Sequence, residues 1–174
     1  MFSLSQRRFL IRNQIIGAAV FNAVLNGFLG WLTFRHHPAV PIAGDPSVVG
    51  DAIGTAVLLP LLTCVIVTQL VRRAIAHGTV EPLGTIVGNV DMVLWLPRRS
   101  FVRGLVLSLL CLAWLTPLYL APMLLADVDR LAVGAFVFLK IIYSAVMAAW
   151  VAPATALYVL ATTRPSTELA HAYS

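Results

Sequence analysis

Lys140 is the residue in this chain whose type and position are hardest to place without a chemical role. It stands in a run, 131–163, that holds no other charge. A lysine at the centre of a membrane-spanning helix is disfavoured by about 2.5–3.5 kcal/mol on insertion scales, so it faces an interior partner, a subunit interface or a water-filled cavity. Counting from Arg130 at 1.5 Å per residue puts Lys140 roughly 15 Å along its helix, near the bilayer middle. A longer, tilted run brings the ammonium closer to the surface.

Other polar groups fall at comparable positions. Asn22 and Asn26 recur at i and i+4, with Ala18 and Gly30 continuing the same stripe. That stripe reads either as helix–helix glue, with small residues for close approach and amides for interhelical hydrogen bonds, or as the polar lining of a cavity. Asp51 and Thr55 share a face, and Gly50 and Gly54 form a small-xxx-small spacing suited to helix packing. Asp51 could cap its helix, where free N–H groups and the macrodipole favour a carboxylate, or stand on a path outward from the lysine. Thr116 lies eleven residues before Asp127, and Tyr143 follows Lys140 by one turn. The expected constellation is Lys140 meeting Asn22 or Asn26 and Thr116, with Asp51 as the outward carboxylate. Its chemistry is solute or partner binding, and no catalytic set emerges.

The elements that position these residues follow from where the charges fall. The chain has 174 residues, 60% hydrophobic and 11% charged, and a mean hydropathy of +0.91. A soluble domain carries about 25% charged residues, so an ordinary water-soluble globule is excluded. The charges delimit four apolar stretches, 13–34, 52–71, 104–126 and 131–163, with Lys140 the sole charge within them. About 20 helical residues cross a hydrocarbon core of ~30 Å, and the runs lack β-barrel alternation, so helices are the spanning elements. The expected fold is all-α: one polytopic membrane domain, 1–174, forming a four-transmembrane-helix bundle.

Nine Arg residues flank the N-terminus, the middle connection and the C-terminal tail, whereas only Arg35 and Arg130 lie on the other side. This bias predicts both termini in the cytoplasm. The connection 74–97 is apolar enough to resemble a fifth span, but Glu81, Pro82, Gly84, Gly88, Asn89 and Asp91 interrupt it. An interfacial segment or re-entrant elbow is expected, with Trp95 at headgroup level and Arg98-Arg99 beside anionic lipid phosphates. The basic start followed by an apolar run has the layout of a secretory signal. Its length exceeds an h-region of about 7–15 residues and no clear cleavage site follows, so retention as an anchor is expected.

Interior prolines at 60, 117, 122 and 153 interrupt the last three spans, freeing carbonyls and creating kinks of the kind found in transporters and in membrane helices generally. Cys64 and Cys111, both inside spans, read as buried packing thiols. Adjacent His36 and His37 do not make a metal site, and no P-loop, G-x-S-x-G, H-E-x-x-H or dinucleotide fingerprint is present. No cofactor is expected. The net charge of +5 sits at membrane flanks, which accounts for it through orientation and anionic lipid, not nucleic acid.

Three functional classes are consistent with these features. A small transporter or channel, expected to be a homo-oligomer because four helices enclose little volume, would use Lys140 as its solute group, and a non-catalytic membrane subunit or scaffold would dock a larger membrane-protein partner on its polar stripe. A lipid-modifying enzyme using Asp51 or Lys140 is the least supported, because acidic residues and histidines are scarce. The expected location is the membrane, the inner membrane in a bacterial host.

Overall fold

The computed structural model describes residues 3–83 and 91–163, with the side chains of Asp91 and Met92 outside the description. Residues 84–90 of the middle connection and Arg164 of the tail, both used in the topology argument, lie outside the described residues. Four helices are long and apolar enough to cross a membrane: α1 (Leu4–Phe34), α2 (Val48–Ala76), α4 (Ser100–Leu125) and α5 (Val133–Thr162). A short α3 (Asp91–Leu94) lies between α2 and α4.

Three of these helices start before the apolar runs do. Ser3 and Gln6 form a capping box, so α1 starts at Leu4 instead of residue 13 and carries Arg7, Arg8 and Arg12 in its first turns. Ser47 caps α2 by accepting from the Gly50 N–H at 3.1 Å, which starts that helix at Val48 instead of residue 52. α4 starts at Ser100, ahead of Arg103. Charge marks where the hydrocarbon ends, whereas helical hydrogen bonding continues until a cap or turn stops it.

Both α1 and α4 contain π-helical stretches, Leu10–Gly17 and Cys111–Leu115. The second immediately precedes Pro117. A proline cannot donate to the ladder, and the wide turn redirects the hydrogen bonds: both the N–H and the hydroxyl of Thr116 donate to the Cys111 carbonyl. Near Pro60 in α2, the Val57 carbonyl accepts from Ser108 Oγ of α4 at 2.8 Å. Neighbouring helices supply such donors where proline disturbs a backbone that water cannot reach.

The packing order is α1 on α5, α5 on α2 and α2 on α4. Thus α2 and α5 are central, and α1 and α4 share no substantial interface among the described residues. Small side chains permit the close central contact: Ala148, Ala152 and Ala156 of α5 are fully buried, as is Ala56 of α2. The outward faces are apolar too, with Leu58, Leu62, Ile66 and Leu70 repeating along the exposed side of α2. That is the pattern of helices whose outer surface is solvated by lipid.

At one end of the bundle the two connections are tied together. Strand β1 (Val40–Pro41) pairs antiparallel with β2 (Arg130–Leu131), and the Ile42 N–H donates to the Asp129 carbonyl at 2.9 Å. These are minor additions to an otherwise all-helical fold, but they put the α1–α2 and α4–α5 turns on the same side. At the opposite end, the Leu83 N–H donates to the Leu160 carbonyl at 2.9 Å and Gln6 Nε2 donates to the Glu81 carbonyl at 3.1 Å. Val80, Leu83, Val93 and Leu96 are buried, while Trp95 is exposed. The described part of the middle connection is therefore laid against the helix ends.

Candidate functional site

The first turn of α2 and the second turn of α5 lie side by side, and there Lys140 Nζ donates to Asp51 Oδ1 in an ion pair. Two features of helix geometry bring these groups together. Both helices begin at the end carrying the β1–β2 pair, and side chains lean toward the N-terminus of their own helix. Lys140 therefore reaches toward that end and its ammonium meets Asp51 at the level of the first turn of α2. The count that puts Lys140 near the bilayer middle follows its Cα; the charged group itself is displaced toward the β1–β2 end.

The lysine stem is held on two sides. Gly30 of α1 is so close that a Cβ there would stand 2.7 Å from Lys140 Cδ and 3.4 Å from Phe136 Cε1. Phe136 packs edge-on against Phe34 with centroids 4.8 Å apart, and Lys140 Nζ lies 5.9 Å from the Phe136 ring centre. Lys140 is 4% exposed, whereas 20% of the Asp51 side chain remains accessible. Asp51 is the open member of the pair. It also benefits from the positive end of α2, which offsets the repulsion between the α5 N-terminus and the lysine.

A second polar layer lies one turn further in. Thr116 Oγ1 and Tyr143 OH share a hydrogen bond of 2.7 Å, and the phenol also approaches the Ala52 carbonyl at 3.4 Å. Tyr119 stacks on Tyr143 with ring centres 4.4 Å apart. Thr55 is buried on α2 one turn beyond Asp51. Thr116 pairs with Tyr143 and the Cys111 carbonyl, not with the lysine.

The asparagines are placed differently from the sequence expectation. Asn22 Nδ2 donates to the Ala18 carbonyl at 2.9 Å and Asn26 Nδ2 to the Asn22 carbonyl at 3.0 Å, each along its own helix. Neither amide reaches Lys140 in these hydrogen bonds. The α1–α5 contact instead uses Gly27 against Ile141, Gly30 against Lys140, and Ser144 Oγ donating to the Asn22 carbonyl at 3.3 Å. Gly50 is exposed and meets only Ser47 Oγ at 3.4 Å, and Gly54 has open space where a side chain would begin. Among the described residues, the helix packing expected at Gly50 and Gly54 is therefore not made. Gly104, unremarked as a packing site in the sequence, lies with its would-be Cβ 2.9 Å from the Leu61 Cα. The cap expected of Asp51 is supplied by Ser47.

A second cation, which its place in the sequence puts in the Arg-rich flank, is also buried. Arg103 is 1% exposed and sits between α4, α2 and α5 toward the end opposite Lys140. Nη2 donates to Thr68 Oγ1 at 2.6 Å, Nη1 to the Pro97 carbonyl at 3.2 Å, and the guanidinium lies 4.3 Å over the Tyr158 ring. The signal for its burial is helical: Arg103, Leu107 and Cys111 recur every fourth residue along the packed face of α4. Nearby, the Cys64 thiol and Thr155 hydroxyl are 3.1 Å apart, and both cysteines are free and buried. Among the described residues, no three His, Cys, Asp or Glu side chains gather where a metal could sit.

Four apolar spanning helices enclosing buried charges define a multi-pass helical membrane protein. No protein-family model matches the chain, and no similar protein was found among curated proteins or solved structures.

Proposed function

We propose that this protein moves a small solute bearing an anionic group across the membrane, with Lys140 as the binding cation and Asp51 as its resting counter-charge. The observation that carries this reading is the asymmetric burial of the pair, with the lysine enclosed and the carboxylate partly open. An anionic group arriving from the β1–β2 end would compete with Asp51 for the ammonium, and the loosened contact would let α2 and α5 move relative to one another. Pro60 and Pro153, one in each central helix, supply the bending points such movement needs. The Arg distribution orients the β1–β2 end outward, with both termini in the cytoplasm. In a bacterial host this is the inner membrane.

The open packing order favours a second reading. Among the described residues, α5 is the spanning helix against which α1 makes its substantial contact, and α1 and α4 do not close a ring, as suits a membrane subunit that completes its packing against a second copy or a partner protein. One experiment separates the two. Purified protein in liposomes is assayed with a panel of labelled carboxylate and amino-acid solutes, beside Lys140→Met and Asp51→Asn variants checked for insertion. Flux that disappears in Lys140→Met supports transport. Absence of flux, together with a stoichiometric co-purifying membrane partner, rejects transport in favour of the subunit reading.

A further inference from the structure

The Arg103 guanidinium is almost wholly buried, and among the described residues no carboxylate forms an ion pair with it. Its hydrogen bonds go to a hydroxyl and a carbonyl, an aromatic face and the Cys64 thiol lie beside it, no carboxylate is among these neighbours, and Nε is buried without any hydrogen-bond partner. An uncompensated charge removed from water is among the most unfavourable arrangements a fold can contain. Guanidinium stays protonated, so neutralisation by proton loss offers no escape. The group therefore calls for an anion.

Its surroundings fit one. Arg72 lies one helical turn beyond Thr68 on α2, and Arg99 is the N-cap residue of α4, four residues before Arg103, both toward the bundle end where the middle connection lies. Both are exposed. Two accessible guanidinium groups thus lie further toward that end than the buried one, and α4 directs its positive N-terminal end to the same place. Phosphate oxygens match this set, because a fork of N–H donors binds them bidentately and neighbouring arginines share the charge.

We infer that Arg103, with Arg72 and Arg99 at its approach, forms a binding site for a phosphate oxyanion at the end of the bundle opposite the Lys140–Asp51 pair. The phosphate comes from an anionic phospholipid headgroup or from a free phosphate. This site is independent of the transport reading and would persist if the protein carried no solute.

The test uses the full chain in neutral detergent, following the thermal unfolding midpoint during two titrations at constant ionic strength. One adds phosphatidylglycerol in phosphatidylcholine micelles, with phosphatidylcholine alone as control; the other adds inorganic phosphate in place of chloride. A saturable rise in midpoint is expected, with half-saturation shifted upward by about tenfold or more in Arg103→Gln, the effect of losing a charged hydrogen bond. A smaller upward shift is expected in Arg72→Gln and Arg99→Gln, whose exposed positions leave folding intact. A rise with phosphatidylglycerol alone assigns the phosphate to lipid, and a rise with inorganic phosphate assigns it to a free anion. If Arg103→Gln does not fold, the Arg72→Gln/Arg99→Gln double variant carries the test. Titrations identical to wild type in the variants that fold overturn the proposal. So does an Asp91→Asn or Glu168→Gln variant whose midpoint without lipid falls as far as that of Arg103→Gln, since one of these carboxylates would then be the counter-charge.

Discussion

Asp51 and Lys140, 89 residues apart in the chain, close an ion pair between the first turn of α2 and the second turn of α5. The pair joins the two central helices at the end where β1 and β2 also tie the connections together. Removing one partner is more damaging than removing both, because a lone ammonium is left in a buried position. Asp51→Asn is expected to destabilise the protein by about 3 kcal/mol, toward the lower limit for buried pairs because the carboxylate is partly solvated. Lys140→Met in the Asp51→Asn background is expected to recover most of that loss. Denaturant unfolding in detergent measures both. A double variant no more stable than Asp51→Asn alone would contradict the pair's role.

Close helix contact makes the glycines unequal. A methyl at Gly104 would meet the Leu61 Cα at 2.9 Å, and backbone cannot swing aside as a side chain can. Gly104→Ala is therefore expected to lower stability by about 1–3 kcal/mol. Gly54→Ala enters open space and is expected to stabilise α2 by up to ~1 kcal/mol through helix propensity. Thermal midpoints of the two variants should move in opposite directions. If Gly54→Ala destabilises instead, Gly54 packs against another chain.

The Thr116–Tyr143 hydrogen bond can be isolated by a double-mutant cycle. Tyr143→Phe and Thr116→Val are each expected to lower stability by about 1–2 kcal/mol, with a coupling of about 1 kcal/mol between them. Strictly additive losses would show that the two hydroxyls act separately. Thr116→Val retains the backbone bond from residue 116 to Cys111, so the π-helical turn is expected to survive it.

Orientation is open to chemical labelling. In a Cys64→Ala/Cys111→Ala background, a membrane-impermeant thiol reagent applied from outside is expected to label Ala43→Cys and leave Ser5→Cys and Thr79→Cys untouched until the membrane is permeabilised. All three positions are exposed. The reverse pattern would invert the topology derived from the arginines.

How far the sequence reaches depends on the kind of information required. Lys140, Asp51, Thr116 and Tyr143 could be singled out because polarity inside an apolar run is visible in one dimension. Their pairing is less legible: Cα depth matches Lys140 to the asparagines and Thr116, with Asp51 further out, yet the long stem leans outward past Gly30 and pairs with Asp51 directly. Asn22 and Asn26 turn their amides onto their own helix, an option open to any asparagine one turn beyond a carbonyl. Arg103 looked like a boundary charge because its position along the chain is at a boundary. Its rotation about the α4 axis carries it inward, between Thr68 and Tyr158.

Four apolar runs and the asymmetric arginines are sums over consecutive residues, and the sequence alone determined the helical class, the number of spanning segments and the predicted topology. Helix rotation, packing order and side-chain reach are relations between residues far apart in the chain. Only the tertiary structure decided that α2 and α5 form the centre, that Lys140 is neutralised within the chain, and that Arg103 is buried without a carboxylate in an ion pair with it among the described residues. The physical reason is that hydrophobicity acts residue by residue, whereas the partner of a buried charge is chosen by three-dimensional proximity.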